Sequence, residues 1–457
     1  MLTGFVSRKS ADSWQWRMEM GWILVGIIGF LLALVFKMSL LLYAIYTLAG
    51  IALLSRWLSR TWAGGLQAER RCRQLTAEIG DRIPVEIVVK NTGSLPVLWM
   101  LVEDLLPRDA MLYKPPKLGV HGSRIAVAKI NGKSEYRMMY YLECNRRGYF
   151  QIGPLVLETG DLFGLHRRFK VLSKPNYVLV LPQPVPLTGY DVASRRPIGE
   201  VTMTYRIFED PTRIAGVREY QRGDSMNRIN WKATARTGEL QSKVCEPSTV
   251  IGATILVDFH RKAFPRQYEP YRSEIAITAA ASIANTVYHM NQQIGLISNG
   301  RDAADRIRTE GWVGDSRTRN EAKASAEMQE ESGRLRPVVV ETRRGVEQLQ
   351  RIFEALARLE KTSGLDLARL VSEAADRLPR DATVIAILSR VTDVEVVALT
   401  SLRNQGYAVT AVINCHNIEE FAANSGPLIA EGIETRHLKD EESISEICKK
   451  QAVAAAK

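Results

Sequence analysis

The sequence predicts a membrane-anchored protein of several domains: an N-terminal transmembrane helical hairpin, a small β-sandwich, and a C-terminal α/β domain built on a doubly wound sheet. Three observations carry this. Two adjacent apolar runs without a charge stand near the start. Short strand-like segments broken by turn residues fill positions 75–185. From residue 251 to about 450, apolar strand segments alternate with helical ones. A length of 457 residues suits a chain of about three domains. A hydrophobic share of 46% with 24% charged residues excludes disorder throughout. The apolar residues are not spread over many long runs, which excludes a polytopic transporter.

Residues 21–36 read GWILVGIIGFLLALVF and residues 38–54 read MSLLLYAIYTLAGIALL, with Lys37 between them. One continuous helix would overshoot a hydrocarbon core that needs about 20 residues. Two short helices turning at Lys37 fit better, giving a basic segment at 1–20 and a hairpin at 21–55. Trp14, Trp16, Trp22, Trp57 and Trp62 sit near the outer ends, where indoles favour the headgroup zone. Arg8, Lys9 and Arg17 precede the hairpin, and Arg56, Arg60, Arg70, Arg71 and Arg73 follow it. The positive-inside rule then makes this a multi-pass inner-membrane protein with both termini and the soluble domains in the cytoplasm. A cleaved signal peptide fits poorly, because Asp12 and Glu19 lie upstream and a second apolar run follows at once. A buried soluble hairpin fits worse, since neither run has a polar face. The 61 Lys and Arg against 50 Asp and Glu give a net charge of +11. Much of that excess flanks the bilayer, so it does not argue for a nucleic-acid partner. Five scattered cysteines with no C-x-x-C pair fit a reducing compartment.

In the β-rich segment, residues 84–89 (PVEIVV) lead into Lys90-Asn91-Thr92-Gly93, a turn signal. Residues 137–142 (RMMYYL) precede a second turn, and 149–157 resume the strand pattern. Arg147-Gly148-Tyr149, Gly153-Pro154-Leu155 and the run DLFGL at 161–165 read as turn chemistry: Gly tolerates positive φ, Pro fixes φ, and Asp caps a turn.

Residues 186–250 form a linker carrying the most distinctive motif, GVREYQRGDSMNRINWKATARTGELQSK at 216–243. Gly223-Asp224 reads as a turn and N-cap, with a helix over 225–236 closed by Gly238. Arg228, Lys232 and Arg236 then share one face at i, i+4 and i+8, with Trp231 and Ala235 beside them. Arg218, Tyr220 and Lys243 flank that helix. One account of the cations is an anionic partner. The other is an internal ion-pair lattice with Glu219, Asp224, Glu239 and Glu246.

The pattern G-V-R-E-Y-x-x-G-D-x-x-x-x-I-N-W-K-A-x-A-R, with R-G-Y-F-x-I-G-P-L and D-L-F-G-L upstream, resembles the signature of the domain-of-unknown-function 58 family. The resemblance covers about residues 20–420. It implies a membrane anchor, a von Willebrand factor A-like C-terminal domain, and work alongside a MoxR-type AAA+ ATPase in assembling or maturing other proteins. It implies no established reaction.

Within 251–450 the expected strands are 253–257, 294–298, 383–388 and 407–413, with helices at 272–291, 345–359, 365–378 and 394–403. Residues 299–336 read as a polar, partly disordered insertion with one possible helical piece at 320–332. Ligands of such sheets bind at the carboxyl ends of strands. The von Willebrand A resemblance would put a divalent metal there, held by a D-x-S-x-S loop and a later Asp. Here the loop after the first strand offers Asp258, then His260 and Lys262 at the serine positions, while Arg390 takes the acidic position shortly before Asp393. Ammonium and guanidinium groups oppose a hard cation, so no metal is expected.

Six histidines show no metal spacing, and neither G-x-S-x-G nor a phosphate-binding P-loop occurs. The sequence therefore points to a non-enzymatic membrane adaptor without a cofactor, with the lipid bilayer as one partner and, as the family resemblance implies, a MoxR-type ATPase or its client as the other. A receptor for a small phosphate-bearing anion, held by Arg218, Arg228, Lys232 and Arg236, is the second reading. A cryptic hydrolase with no nominated nucleophile is the third.

Overall fold

A computed structural model describes residues 39–72, 74–112, 114–164, 166–187, 209–220, 229–247, 252–310, 318–326, 336–379 and 382–447. The first expected arm of the hairpin and the turn at Lys37 lie outside these residues. Among the described residues one helix, Ser39–Gly65, contains a segment (Leu42–Gly65) long and apolar enough to cross a membrane. Leu40, Tyr43, Leu48, Leu53 and Leu54 on it are exposed.

The helix does not stop where the uncharged run ends. It continues to Gly65, with Ser55, Ser59 and Trp62 forming a buried stripe. Leu58 and Trp62 join the core of the β-domain that follows. Trp62, expected in the headgroup zone, is thus a core side chain, while Trp57 remains exposed. Charges at Arg56 and Arg60 end the apolar run but not the helix, because its buried stripe packs into the β-domain core. Lys170 Nζ donates to Ala63 O at 3.3 Å and Leu66 O at 2.8 Å, placing a cation at the carbonyl end of the helix.

Strands begin at once, at Leu66 rather than near 75: β1 (Leu66–Cys72), β2 (Thr76–Glu78), β3 (Arg82–Asn91), β4 (Val97–Asp104), β5 (Leu118–Gly122), β6 (Ile125–Ile130), β7 (Glu135–Cys144), β8 (Gly148–Ile152), β9 (Leu155–Gly160), β10 (Arg167–Ser173) and β11 (Asn176–Leu181). Two four-stranded antiparallel sheets, ordered β1-β3-β7-β5 and β10-β9-β4-β6, share one core, and β2-β11-β8 form a smaller sheet. Period-two alternation puts Ile83, Val85, Ile87 and Val89 of β3 into that core opposite Met100, Val102, Leu155 and Leu157. The helix Ser39–Gly65 packs on β9 and β10.

Inside this core lies a charge pair. Arg70 and Asp104 form a salt bridge with both side chains fully buried. Tyr140 Oη donates to Asp104 at 2.7 Å, and Arg70 also donates to Ile152 O and Lys174 O at 3.1 and 3.0 Å. Gly153 has φ +91, and a Cβ there would collide with the Arg70 guanidinium. The Gly-Pro-Leu element is therefore a close approach to a buried arginine as well as a turn.

The stretch expected to be a linker contains an antiparallel ribbon, β12 (Glu209–Glu219) with β13 (Gln241–Pro247). The last domain follows with β14 (Gly252–Val257), β15 (Gln293–Ser298), β16 (Arg301–Asp302), β17 (Val338–Arg343), β18 (Leu359–Glu360), β19 (Ala382–Leu388), β20 (Ala408–Asn414) and β21 (Glu434–Leu438). Six of these form one sheet ordered β17-β15-β14-β19-β20-β21, parallel except for β17. Alternate residues of β14 feed two cores: Ile255 and Val257 meet helices Tyr271–His289 and Val346–Arg358 on one face. Leu256 meets Leu367–Ala374, Asp393–Asn404 and Ile418–Ala430 on the other.

The polar stretch 299–336 is more structured than its composition suggests. Asn299 and Arg301 are buried, and Ala303–Glu310 and Arg319–Ala326 are helical. Ala322 packs with Leu105 and Val156 of the β-domain. Glu103 accepts from Arg319, and ion-pairs with Lys323 at 3.3 Å and Arg124 at 3.4 Å. A second link between the domains runs through Arg147. It is buried, donates to Leu356 O and Leu359 O at 2.8 and 3.0 Å, pairs with Glu274 at 3.1 Å and lies over the Phe259 ring.

Candidate functional site

After β14 the chain crosses to β15 on one side, and β19 pairs on the other, so connections leave in opposite directions between β14 and β19. Such a switch point opens a crevice at the carboxyl ends of the strands. A cleft of about 330 Å³ lies there, lined by Asp258, His260, Lys262, Asp366, Arg390 and Glu395 among others. Four of the expected metal-position residues thus converge. Asp393 does not: it is the first residue of helix Asp393–Asn404 and borders a separate apolar groove with Val394 and Val397.

Each carboxylate of the cleft is committed to local structure. Asp258 is buried and accepts from Asn299 Nδ2 at 2.7 Å and the His260 amide at 3.1 Å. Burial pushes its carboxyl above the usual range, and those two donors oppose the shift. Asn299 in turn accepts from the Phe259 amide at 2.6 Å and donates to Leu365 O at 3.1 Å. Asp366 caps helix Leu367–Ala374 through the Arg369 amide at 2.9 Å. Glu395 closes a capping box with Thr392. His260 Nδ1 accepts from the Lys262 amide at 3.2 Å, occupying a ring nitrogen. Lys262 and Arg390 are exposed, and no ion pair joins either to a carboxylate among the described residues.

A divalent cation does not fit this donor set. Among the described residues no three His, Cys, Asp or Glu side chains converge as a metal group, and two cations share the cleft with the capping carboxylates. Asn299, Asp366, Thr392 and Glu395 were missed in the sequence reading. The D-x-x-R and T-x-x-E spacings before apolar runs were available signals for the two caps, whereas Asn299 looked like the start of a polar insertion.

The motif residues gather elsewhere. The helix spans Trp231–Thr237, shorter than the expected 225–236, because Asn230 is extended and its side chain caps Ala233 N at 3.2 Å. Gly238 ends it at φ +78, as the spacing suggested. Lys232 and Arg236 are exposed on that helix beside Trp231, which is 67% exposed. Arg218 lies on β12 and Lys243 on β13, Val217 being the cross-strand partner of Lys243. The Tyr220 amide donates to Leu240 O at 2.9 Å. Gly223, Asp224 and Arg228 lie outside the described residues. Among the described residues no ion pair joins Lys232, Arg236 or Lys243 to Glu219 or Glu239.

Comparison with known proteins matches most of this ribbon and one lip of the cleft to a single family model. The family described as "Protein of unknown function DUF58" matches residues 216–311. That match includes the motif whose spacing resembles the DUF58 signature. An uncharacterized protein YeaD of Bacillus subtilis (strain 168) is 26% identical over 297 residues, covering 63% of this chain and 71% of that one. Similarity to solved structures is slight. A CARDB domain from Pyrococcus furiosus gives 13% identity and a TM-score of 0.18 over 25% of this chain and 87% of that one. Proximal thread matrix protein 1 from the mussel byssus gives 9% and 0.28 over 44% and 46%.

The DUF58 match contains β13, β14, the loop from Asp258 to Lys262 and Asn299, but not Arg390 or Glu395. The opposite lip of the cleft therefore lies outside the matched region.

Proposed function

We propose that this protein is a non-enzymatic adaptor, anchored in the membrane by its N-terminal helix. Its β-sandwich stands on the anchor, and its von Willebrand A-like domain presents the switch-point cleft to a MoxR-type AAA+ ATPase or that enzyme's client. The observation that carries this reading is the state of the cleft: its carboxylates are tied into caps and loop bonds, while Lys262 and Arg390 face outward. Such a site recognises a surface and offers little for acid–base work. Burial pushes the Cys144 thiol up to about 12 and the Cys415 thiol up to about 11, which disfavours either as a nucleophile. The topology that suits this role keeps both termini and the soluble domains in the cytoplasm. Co-purification of the detergent-solubilised chain with a MoxR-type ATPase tests the reading; no ATPase or client at near-equal stoichiometry would contradict it.

A second reading is supported by the exposed Lys232 and Arg236 beside Trp231: a small phosphate-bearing anion binds there. Thermal-shift measurements with phosphorylated metabolites separate it from the adaptor, which predicts no ligand-dependent shift.

A further inference from the structure

The Asp161 turn between β9 and β10 has a place in the fold that turn chemistry alone does not explain. Leu162 and Phe163 at its tip are 58% and 59% exposed, an adjacent pair of large apolar side chains turned to solvent. Hydrogen bonds hold the turn beneath them. Buried Asp161 accepts from the Phe163 amide at 3.0 Å and the His166 amide at 2.6 Å, and Trp99 Nε1 donates to Asp161 O at 3.3 Å. A fold that fixes two apolar side chains outward incurs a hydration cost that a partner surface would remove.

The partner is identified by what lies alongside. Helix Ser39–Gly65 packs on β9 and β10, the two strands this turn joins. The Thr92 amide donates to Gly65 O, so the helix ends against the 91–95 turn that leads into β4. Trp99 of β4 ties that same end of the sheets to Asp161. The carboxyl end of the helix thus lies at the end of the sheets where Leu162 and Phe163 project. Exposed Arg56, Trp57 and Arg60 sit on the helix where its buried stripe begins, and exposed Arg167 follows the turn, 3.6 Å from Glu158. Aromatic and apolar side chains ringed by cations match the interface of an anionic bilayer.

We propose that Leu162 and Phe163 insert into the headgroup–acyl boundary of the membrane that holds the helix, giving the β-domain a second lipid contact that fixes its tilt. The inference rests on the membrane-anchor reading, and its test separates the two. The full-length chain carrying Phe163→Cys is labelled with an environment-sensitive fluorophore and reconstituted in phosphatidylcholine–phosphatidylglycerol vesicles. Leu112→Cys, exposed beyond the opposite end of β4, is the aqueous control, and the parent chain labelled in parallel gives the background from native cysteines. A blue-shifted emission at position 163, quenched by spin-labelled lipid and absent at 112, is expected. A water-like signal at 163 in a chain that resists alkaline carbonate extraction would overturn the loop contact and leave the anchor standing. Extraction of the chain by carbonate would overturn the anchor, and the loop inference with it.

Discussion

Arg147 Nη1 lies 2.8 Å from the carbonyl oxygen of Leu356, joining a β-domain turn to the carboxyl end of a helix in the α/β domain. The same guanidinium reaches Leu359 O and Glu274 and covers the ring of Phe259, the neighbour of Asp258. One buried cation therefore ties the β-domain to the structure directly under the cleft, at a helix carboxyl end whose dipole favours positive charge.

Replacing Arg147 with alanine should cost on the order of 2–4 kcal/mol, because its charge-assisted hydrogen bonds to Leu356 O and Leu359 O and its pairing with Glu274 are lost. Calorimetry should then resolve separate transitions for the two domains. Arg147→Lys should recover only part of the loss, since one ammonium cannot span carbonyls and a carboxylate together.

The Arg70–Asp104 pair has no solvent to fall back on. Arg70→Met should destabilise by about 3–5 kcal/mol by stranding the carboxylate. Tyr140→Phe should cost about 1–2 kcal/mol. Gly153→Ala should also destabilise, through its positive φ and the collision with Arg70. Chemical denaturation in detergent should show a loss for each variant, larger for Arg70→Met than for Tyr140→Phe.

Asp258 supplies a pH test. Its carboxyl is raised in the folded state mainly by burial, so the native protein holds that proton more tightly than the unfolded chain does. The associated stability is present at low pH and is lost as pH rises from the ordinary carboxylate range through the folded value. Asp258→Asn should therefore be more stable than the parent at pH 7 and indistinguishable near pH 3, in paired thermal melts. A parent protein that gained stability from this group with rising pH would contradict the sign.

Glu103 holds the helix Arg319–Ala326 on the β-domain through Arg319 and Lys323. Glu103→Ala should free that helix, and limited proteolysis should cut within 311–335 several-fold faster than in the parent. Unchanged cleavage would show that the Ala322 contact suffices.

The parallel strands were legible because strands buried on both faces read as unbroken apolar runs: ATILV, TVIAIL and YAVTAVI mark β14, β19 and β20. Edge strands hide. β17 reads VVVETR next to a polar stretch, and β21 reads ETRHL with three polar or charged residues in its first three positions. Helix Ile418–Ala430 was missed because Gly426 and Pro427 look like a break, although Pro427 sits inside it. The motif helix was drawn too long because spacing through 225–230 satisfies a helix, whereas Asn230 competes for the backbone as a cap. Arg147 was unreadable locally: nothing around an R-G-Y turn reveals carbonyls some two hundred residues further on. In the cleft, Asp258, His260, Lys262 and Arg390 were implied by the von Willebrand A resemblance at two strand ends, but Asn299 needed the neighbouring strand to place it.

The proposed protein-binding role of the cleft is tested most directly by a binding measurement. Purified MoxR-type ATPase should bind the detergent-solubilised chain saturably. The Lys262→Glu/Arg390→Glu double variant should bind at least tenfold more weakly, about 1.4 kcal/mol, with unchanged thermal stability. Equal affinity of parent and variant, or no binding by the parent, would contradict it.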